Sequence, residues 1–515
     1  MSPSNLSRRM SAEDAWFLYF ETPQAPLHIG SVGIYEGTIP FEKMYASMDA
    51  RMHLIPRYRQ RAVIPPFVAG HPTWDDDPQF SLDRHLRLVT LPPPGTREQL
   101  IELCGEMFEG MLPRDRPLWD ITVIHGLEGD RTAYLSRVHH CLVDGVSGIE
   151  LLLAVLDLVP DPEPTPPPAQ PWQPKATPSP LESWADATLD QARQQFTAFT
   201  EFQRQMLEPR EQVQRVIKLA RALEAVVPAA LKPLTKAPWN KPIGGKRRVA
   251  WTDMSFQEVR KIRGQLGGTV NDVMLTILGG ALGRYLQDHG VKTDGATVRL
   301  QIPVNVRRED EKGALGNRVS MMVPDIPVGI ADPAARLAAV RAEMERLKSQ
   351  DQANAFQELL RLAENLPAAT HALIALGGIP QGMLNLICTN VPGPMIPLYS
   401  VGHRLIEHYP MVPLAADFGI GVGITSFDKG LYLGIMCDPA IVGDVDKIAA
   451  YAAAEFRALR EAAGVEESDL PEIATPHQGH RSNGASAPSP EPGEPAEQPA
   501  AEMSEQPSTE SAPVN

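Results

Sequence analysis

Between Val159 and Pro180 the chain reads VPDPEPTPPPAQPWQPKATPSP. Proline fixes φ and has no backbone N–H to donate, so neither a helix nor a central strand can run through this stretch. Whatever folds before it and whatever folds after it must be built separately and then joined. The segment reads as a linker. At 515 residues the chain is also longer than one typical core sustains, which again points to more than one domain.

On both sides of the linker the pattern is mixed α/β. Ser11 with Asp14 three positions on is a capping-box pattern, opening a helix over 11–21. Residues 28–36 read as a strand, 41–54 as an amphipathic helix, 87–91 as a strand and 96–111 as a helix. The strand-like runs WDITVIHGL and RTAYLSRVHH flank a turn at Glu128–Asp130 and form a hairpin that sets Trp119 or a neighbour opposite His139. An apolar helix follows over 149–158.

Beyond the linker, helical segments run to about Leu234. Strands are then expected at 247–254, 297–305, 317–324, 384–390, 402–408, 417–424 and 431–437. Helices are expected at 270–287, 332–350, 353–365 and 444–464. From about residue 472 a Pro, Glu, Ser and Ala bias has the composition of a disordered tail. The expected organisation is a first lobe over 1–158, a linker and helical crossover over 159–240, a second lobe over 241–471 and a tail over 472–515.

Charge and cysteine usage narrow the class. The formal net charge of −15 excludes the basic footprint that phosphate binding needs, so no nucleic-acid partner is expected. Cys104, Cys141, Cys388 and Cys437 are scattered without metal-ligand spacing, which fits free thiols in a reducing compartment. The opening MSPSNLSRRMSAEDAWFLYF lacks a signal peptide's apolar core, and no stretch reads as a transmembrane helix. A cytoplasmic location is the expectation. No glycine-rich phosphate loop is present.

The chemistry concentrates in SRVHHCLVDGVSG, residues 136–148. Two adjacent histidines end an apolar strand, and Asp144-Gly145 follows after three residues. An imidazole, with an ordinary pKa of about 6.5, suits proton abstraction from a hydroxyl or amine near neutral pH. Successive strand residues point to opposite faces, so only one histidine can face a given cavity. By the same alternation Cys141 points away from His140, and a small buried thiol is its plainer reading than an acyl-enzyme nucleophile.

HHCLVDG resembles the active-site motif of the CoA-dependent acyltransferase superfamily, which includes chloramphenicol acetyltransferases and condensation domains. Further blocks narrow the resemblance: LSRRMSAEDAWFLYFETPQAPLHIG at the start, PLWD (117–120), TVNDVMLTILGGALGRYL (269–286), PVNVR (303–307), GNRVSMM (316–322) and TNVPGP (389–394). Together, and in this order, they resemble the bacterial wax ester synthase/diacylglycerol acyltransferase family over roughly residues 6–465. The resemblance implies two chloramphenicol-acetyltransferase-like lobes with an interlobe channel and the histidine motif at their junction. It implies His140 as general base, with His139, Asp144 and Gly145 shaping the loop. The implied substrates are an acyl-CoA and a diacylglycerol or fatty alcohol. No metal or bound cofactor is implied, because the thioester already carries an activated acyl group.

Other positions keep two readings open. Thr269 and Asp272 can simply cap a helix, yet a helix N-terminus also suits an oxyanion, and Asn271-Asp272 corresponds to the family's Asn-Asp block. Asn271 is a candidate for catalytic support and Asp272 for substrate contact. Trp119 is core or a substrate platform. Gly244-Gly-Lys-Arg-Arg248 is a basic cluster that either meets CoA phosphates or is an exposed strand entry. Residues 365–403 contain no Asp, Glu, Lys or Arg. That gap is buried packing, or around Leu373–Leu384 a surface for a membrane or lipid droplet. Two rival functions follow: a condensation-type acyltransferase with another donor or acceptor, and a catalytically weak lipid-droplet-binding protein on the same scaffold.

Overall fold

A computed structural model of the chain describes residues 8–143, 152, 154–206, 234–305, 319–357, 366–376, 383–415 and 417–468. Asp144, Gly145, residues 149–151 and 153 of the helix expected over 149–158, part of the block GNRVSMM and the tail from 472 lie outside the described residues.

The first half opens with α1 (Ala12–Phe20), β1 (His28–Glu36), α2 (Phe41–Arg51), β2 (Gln60–Val63) and β3 (Thr73–Asp76). It continues through β4 (Leu86–Thr90), α3 (Arg97–Met107), β5 (Trp119–Leu127) and β6 (Arg131–His139). The Ser11 hydroxyl accepts the Asp14 N–H at 3.0 Å, the cap that starts α1. Gly129 and Asp130 both take positive φ, which closes the β5–β6 hairpin where the turn is expected. Residues 161–179 contain neither helix nor strand, as their prolines require.

Helix α4 (Pro180–Met206) follows, then β7 (Arg248–Ser255), α5 (Phe256–Leu266), α6 (Val270–Asp288) and β8 (Thr297–Asn305). Next come β9 (Val319–Met322), β10 (Asp325–Pro327), α7 (Pro333–Ser349) and α8 (Ala368–Leu376). The chain closes with β11 (Leu386–Pro392), β12 (Tyr399–Ser400), β13 (His403–Met411), β14 (Ile420–Phe427), β15 (Gly430–Cys437) and α9 (Asp446–Ala462).

Apart from β2 and β3, which pair with each other, these strands form two large sheets. The first has the order β12-β13-β1-β6-β5-β4, the second β10-β8-β11-β14-β15-β7 with β9 also paired to β8. Strands β12 and β13 come from the second half of the chain, yet β13 pairs antiparallel with β1, Gly30 facing Met411. The two halves are thus stitched together within one sheet.

A second join lies where β13 crosses β14 and β15. A Cβ on Gly434 would sit 1.9 Å from the Pro410 carbonyl oxygen, so only glycine permits that approach. Apolar residues of both sheets share one core there, including Tyr409, Trp251, Phe427 and Met436. A second core surrounds α6, which is buried on nearly every side against β8, β11, β14, α7 and α9.

Candidate active site

The β1–β6 register places His28 directly across from His139. Pairing persists just past the strand end: the His139 N–H donates to the Leu118 carbonyl at 2.9 Å and the His140 N–H to the Leu27 carbonyl at 3.0 Å. The chain then turns, with the Leu142 N–H donating to the His139 carbonyl at 2.9 Å. The two histidines therefore leave the strand on a rigid backbone, facing opposite ways.

His139 is wholly buried. Its Nδ1 accepts the Cys141 N–H at 3.2 Å, and its Nε2 lies 3.3 Å from Oε1 of Glu21. The first contact requires a bare Nδ1, so the ring proton is on Nε2, directed at the carboxylate. Burial holds the imidazole pKa below its ordinary value against the pull of Glu21, so His139 is neutral near pH 7.

Glu21 caps the C-terminal end of α1 with a fully buried side chain. Its Oε1 also accepts the Leu27 N–H at 3.1 Å, and its Oε2 pairs with Arg114. Burial alone would raise this carboxyl. The contact with His139 first, then the Arg114 charge and the Leu27 N–H, outweigh it and hold the pKa down at about 2.

His140 is half-buried, and its ring stacks on Phe17 with centroids 3.9 Å apart and planes 7° from parallel. Phe17 and Glu21 lie one helical turn apart on α1, so a single turn touches both histidines. Cys141 is 2% exposed, and burial pushes its thiol well above the ordinary range. A thiol so hard to ionise is no nucleophile.

Trp119 faces Val138 in the hairpin, one residue from His139. It is 3% exposed, stacks on His85, and donates its indole N–H to the Tyr58 carbonyl at 2.9 Å. Of the two readings of Trp119, core or substrate platform, this environment favours core, with a ring face on His85 and the polar edge on the Tyr58 carbonyl.

Thr269 and Asp272 form the reciprocal capping box of α6, at 3.2 and 2.8 Å. Asp272 is buried, and its Oδ1 has no partner among the described residues. The Asn271 Oδ1 accepts the Asn390 side-chain amide at 3.0 Å, which joins the block TVND to the block TNVPGP in space. In the basic cluster, Lys246 pairs with Glu109, Arg248 with Asp446, and buried Arg247 donates to the carbonyls of Gly244, Lys246 and Gln24. Those partners favour a structural role there over phosphate binding.

Glu21, Phe17, Arg114 and Asn390 carry no local signal of their role. Glu21 lies 118 positions from His139, and only the pairing of β1 with β6 brings α1 onto the motif.

The model of the wax ester synthase/diacylglycerol acyltransferase catalytic domain matches residues 10–274, and that of the C-terminal domain of the same group matches 315–460. The chain belongs to the wax ester synthase/diacylglycerol acyltransferase family. A putative diacylglycerol O-acyltransferase of Mycobacterium tuberculosis is 31% identical over 459 residues, covering 85% of this chain and 87% of the relative. A probable diacylglycerol O-acyltransferase of the same species is 29% identical, covering 85% and 92%. Among solved structures, a wax ester synthase/diacylglycerol acyltransferase from Marinobacter aquaeolei superposes with a TM-score of 0.62 at 22% identity, covering 89% of this chain and all of that one. The starter condensation domain of rhizomide synthetase, in complex with C8-CoA, gives 0.55 at 15% identity, covering 89% and 94%. Family membership and these superpositions bear out the two-lobed α/β fold class.

Proposed function

We propose that this family member is an acyl-CoA-dependent O-acyltransferase, making triacylglycerol or wax esters, with His140 as its general base. The observation that carries the assignment is the contrast between neighbours. His139 is sealed in the fold, its Nδ1 on the Cys141 N–H and its Nε2 3.3 Å from the Glu21 carboxylate, whereas His140 leaves the other side of the strand end, half-buried on an aromatic face. A base must reach substrate, and of the two only His140 is accessible.

In the proposed step, His140 takes the hydroxyl proton of a diacylglycerol or long-chain alcohol. The oxygen attacks the thioester carbonyl, a C–O bond forms, the C–S bond breaks, and the proton passes to the departing CoA sulfur. The start of α6, with Asn271 oriented by Asn390, supports the developing oxyanion, as a helix N-terminus favours negative charge. Asp272 is retained as a substrate-facing candidate on the strength of its unpartnered buried oxygen. The loop-shaping roles of Asp144 and Gly145 rest on the motif alone.

We read 1–158 and 241–471 as the two lobes, 159–240 as their crossover, 472–515 as a tail, and an interlobe channel as the place where donor and acceptor meet. Among the described residues no helix is long and apolar enough to cross a membrane. We read the chain as cytoplasmic with peripheral lipid contact through α8 and its neighbours. Leu373 is 67% exposed, and Phe67, in a turn beside α8, is 92% exposed with a φ of 58°. Unchanged liposome binding by a Phe67→Glu, Leu373→Glu variant overturns that part.

The test of the reaction is CoA release from palmitoyl-CoA, followed with a thiol reagent, without acceptor, with hexadecanol and with dipalmitoylglycerol. Acceptor-dependent release that disappears in His140→Ala is the expected result. Full turnover in that variant overturns the base assignment, and no release with any acceptor favours another donor or a lipid-binding role.

A further inference from the structure

Helix α1 and the residue that caps its end grip the motif at two points. Glu21 meets His139 and Phe17 covers His140. We infer that Glu21 is a positioning residue for the reaction: by fixing the His139 tautomer it holds the turn that aims His140. This rests on the assignment of His140 as base.

The chain of cause is short. With Glu21 ionised, the His139 proton is drawn to Nε2, and Nδ1 is left bare. The bare Nδ1 accepts the Cys141 N–H, which closes the turn across residues 139–141 from the inside. The peptide between these two contacts is that of His140. Arg114, on the other carboxylate oxygen, keeps Glu21 charged, and the Leu27 N–H fixes its rotamer. Leu27 is also the residue whose carbonyl receives the His140 N–H, so carboxylate, loop and base are tied at one place. Other charged or titratable groups around this network include His28, Arg137, Arg247 and, near Cys141, Asp14; burial, above all, holds His28 neutral, with a pKa of about 3, Arg137 is committed to Asp120 and Arg247 donates to backbone carbonyls.

Glu21→Gln is the decisive change. The carboxamide offers only one oxygen; with it on Arg114, whose charge is the stronger demand, the NH2 takes the place of Oε1 and the Leu27 N–H loses its acceptor. Its NH2 then faces His139 Nε2 and forces the proton to Nδ1, where it opposes the Cys141 N–H. A misaimed base costs about 10²-fold in rate.

The experiment labels histidine with 15N and reads the His139 tautomer from ring nitrogen shifts, alongside kcat and KM for palmitoyl-CoA. The expected result is an Nε2–H form in the native protein, an Nδ1–H form in Glu21→Gln, kcat lower by about 10²-fold, and KM unchanged. On a His140→Ala background the same change adds no further loss. An unchanged tautomer, or full kcat with a switched one, overturns the proposal. Glu21→Asp keeps the charge beside Arg114 and so protects folding, but falls short of His139; full kcat in that variant also overturns it. Full turnover in His140→Ala alone instead identifies the base assignment as the failure, while the tautomer readout still reports on Glu21.

Discussion

His28 makes the fold sensitive to acid in a calculable way. It is 1% exposed, packs against Phe108, and neither ring nitrogen has a hydrogen-bond partner among the described residues. Burial first, then Arg137, His139 and Arg247 against the opposing pull of Glu21, lower its pKa to about 3. In the unfolded chain the same imidazole titrates near about 6.5. Between these values the unfolded state binds the extra proton and the folded state does not. Stability therefore rises with pH in this window, is complete above about 6.5, and is lost progressively as pH falls toward about 3. At pH 5 the deficit is about 2 kcal/mol, against almost nothing at pH 7.5. For a folded chain of this size the entropy of unfolding is about 1 kcal/mol/K, so the loss appears as roughly 2 °C in Tm. His28→Leu cannot take up the proton. Scanning calorimetry at pH 7.5 and 5.0 should show the native protein losing about 2 °C more than the variant on acidification. An identical pH dependence in both would refute the reasoning, because it would mean that His28 protonates in the fold at no cost.

Three further outcomes follow from single contacts. Gly434→Ala drives a Cβ into the Pro410 carbonyl, and β13 cannot retreat because it is paired to β1; a loss of about 1–3 kcal/mol is expected, read as a lower urea midpoint. Thr269→Ala removes the hydroxyl that caps α6 and should cost about 1 kcal/mol with kcat retained, whereas Asn271→Ala should lower kcat with Tm retained. Reversal of that pattern removes Asn271 from the oxyanion. Cys141 should resist iodoacetamide in the native protein and react only on denaturation, because the thiol is buried and its pKa raised; rapid native labelling with loss of turnover would revive it as a nucleophile.

Local features of the chain were sufficient for most of the long elements, while α5, α8 and the short strands β2, β3 and β12 were not anticipated. The strands over 28–36 and 297–305 lie where alternation puts them, and α6 begins at the cap that Thr269 announces. The proline stretch excluded regular structure without any help from packing. HHCLVDG carried the superfamily, and the accompanying blocks the family, because such motifs are short and contiguous.

Contacts between distant residues were not legible. Nothing in HRLIEHYPM says that β13 will leave its neighbours in the chain and pair with β1, since strand pairing depends on which edge is available once both halves have folded. Trp119 sits next to the motif in the hairpin, which left core and substrate platform both open; the positions of His85 and Tyr58 are what favour core. The sequence alone determined the kind of chemistry available, because residue identity sets which groups can carry a proton. Tertiary structure alone decided how the two histidines divide the work, because α1 seals one with Glu21 and leaves the other stacked at the surface of Phe17.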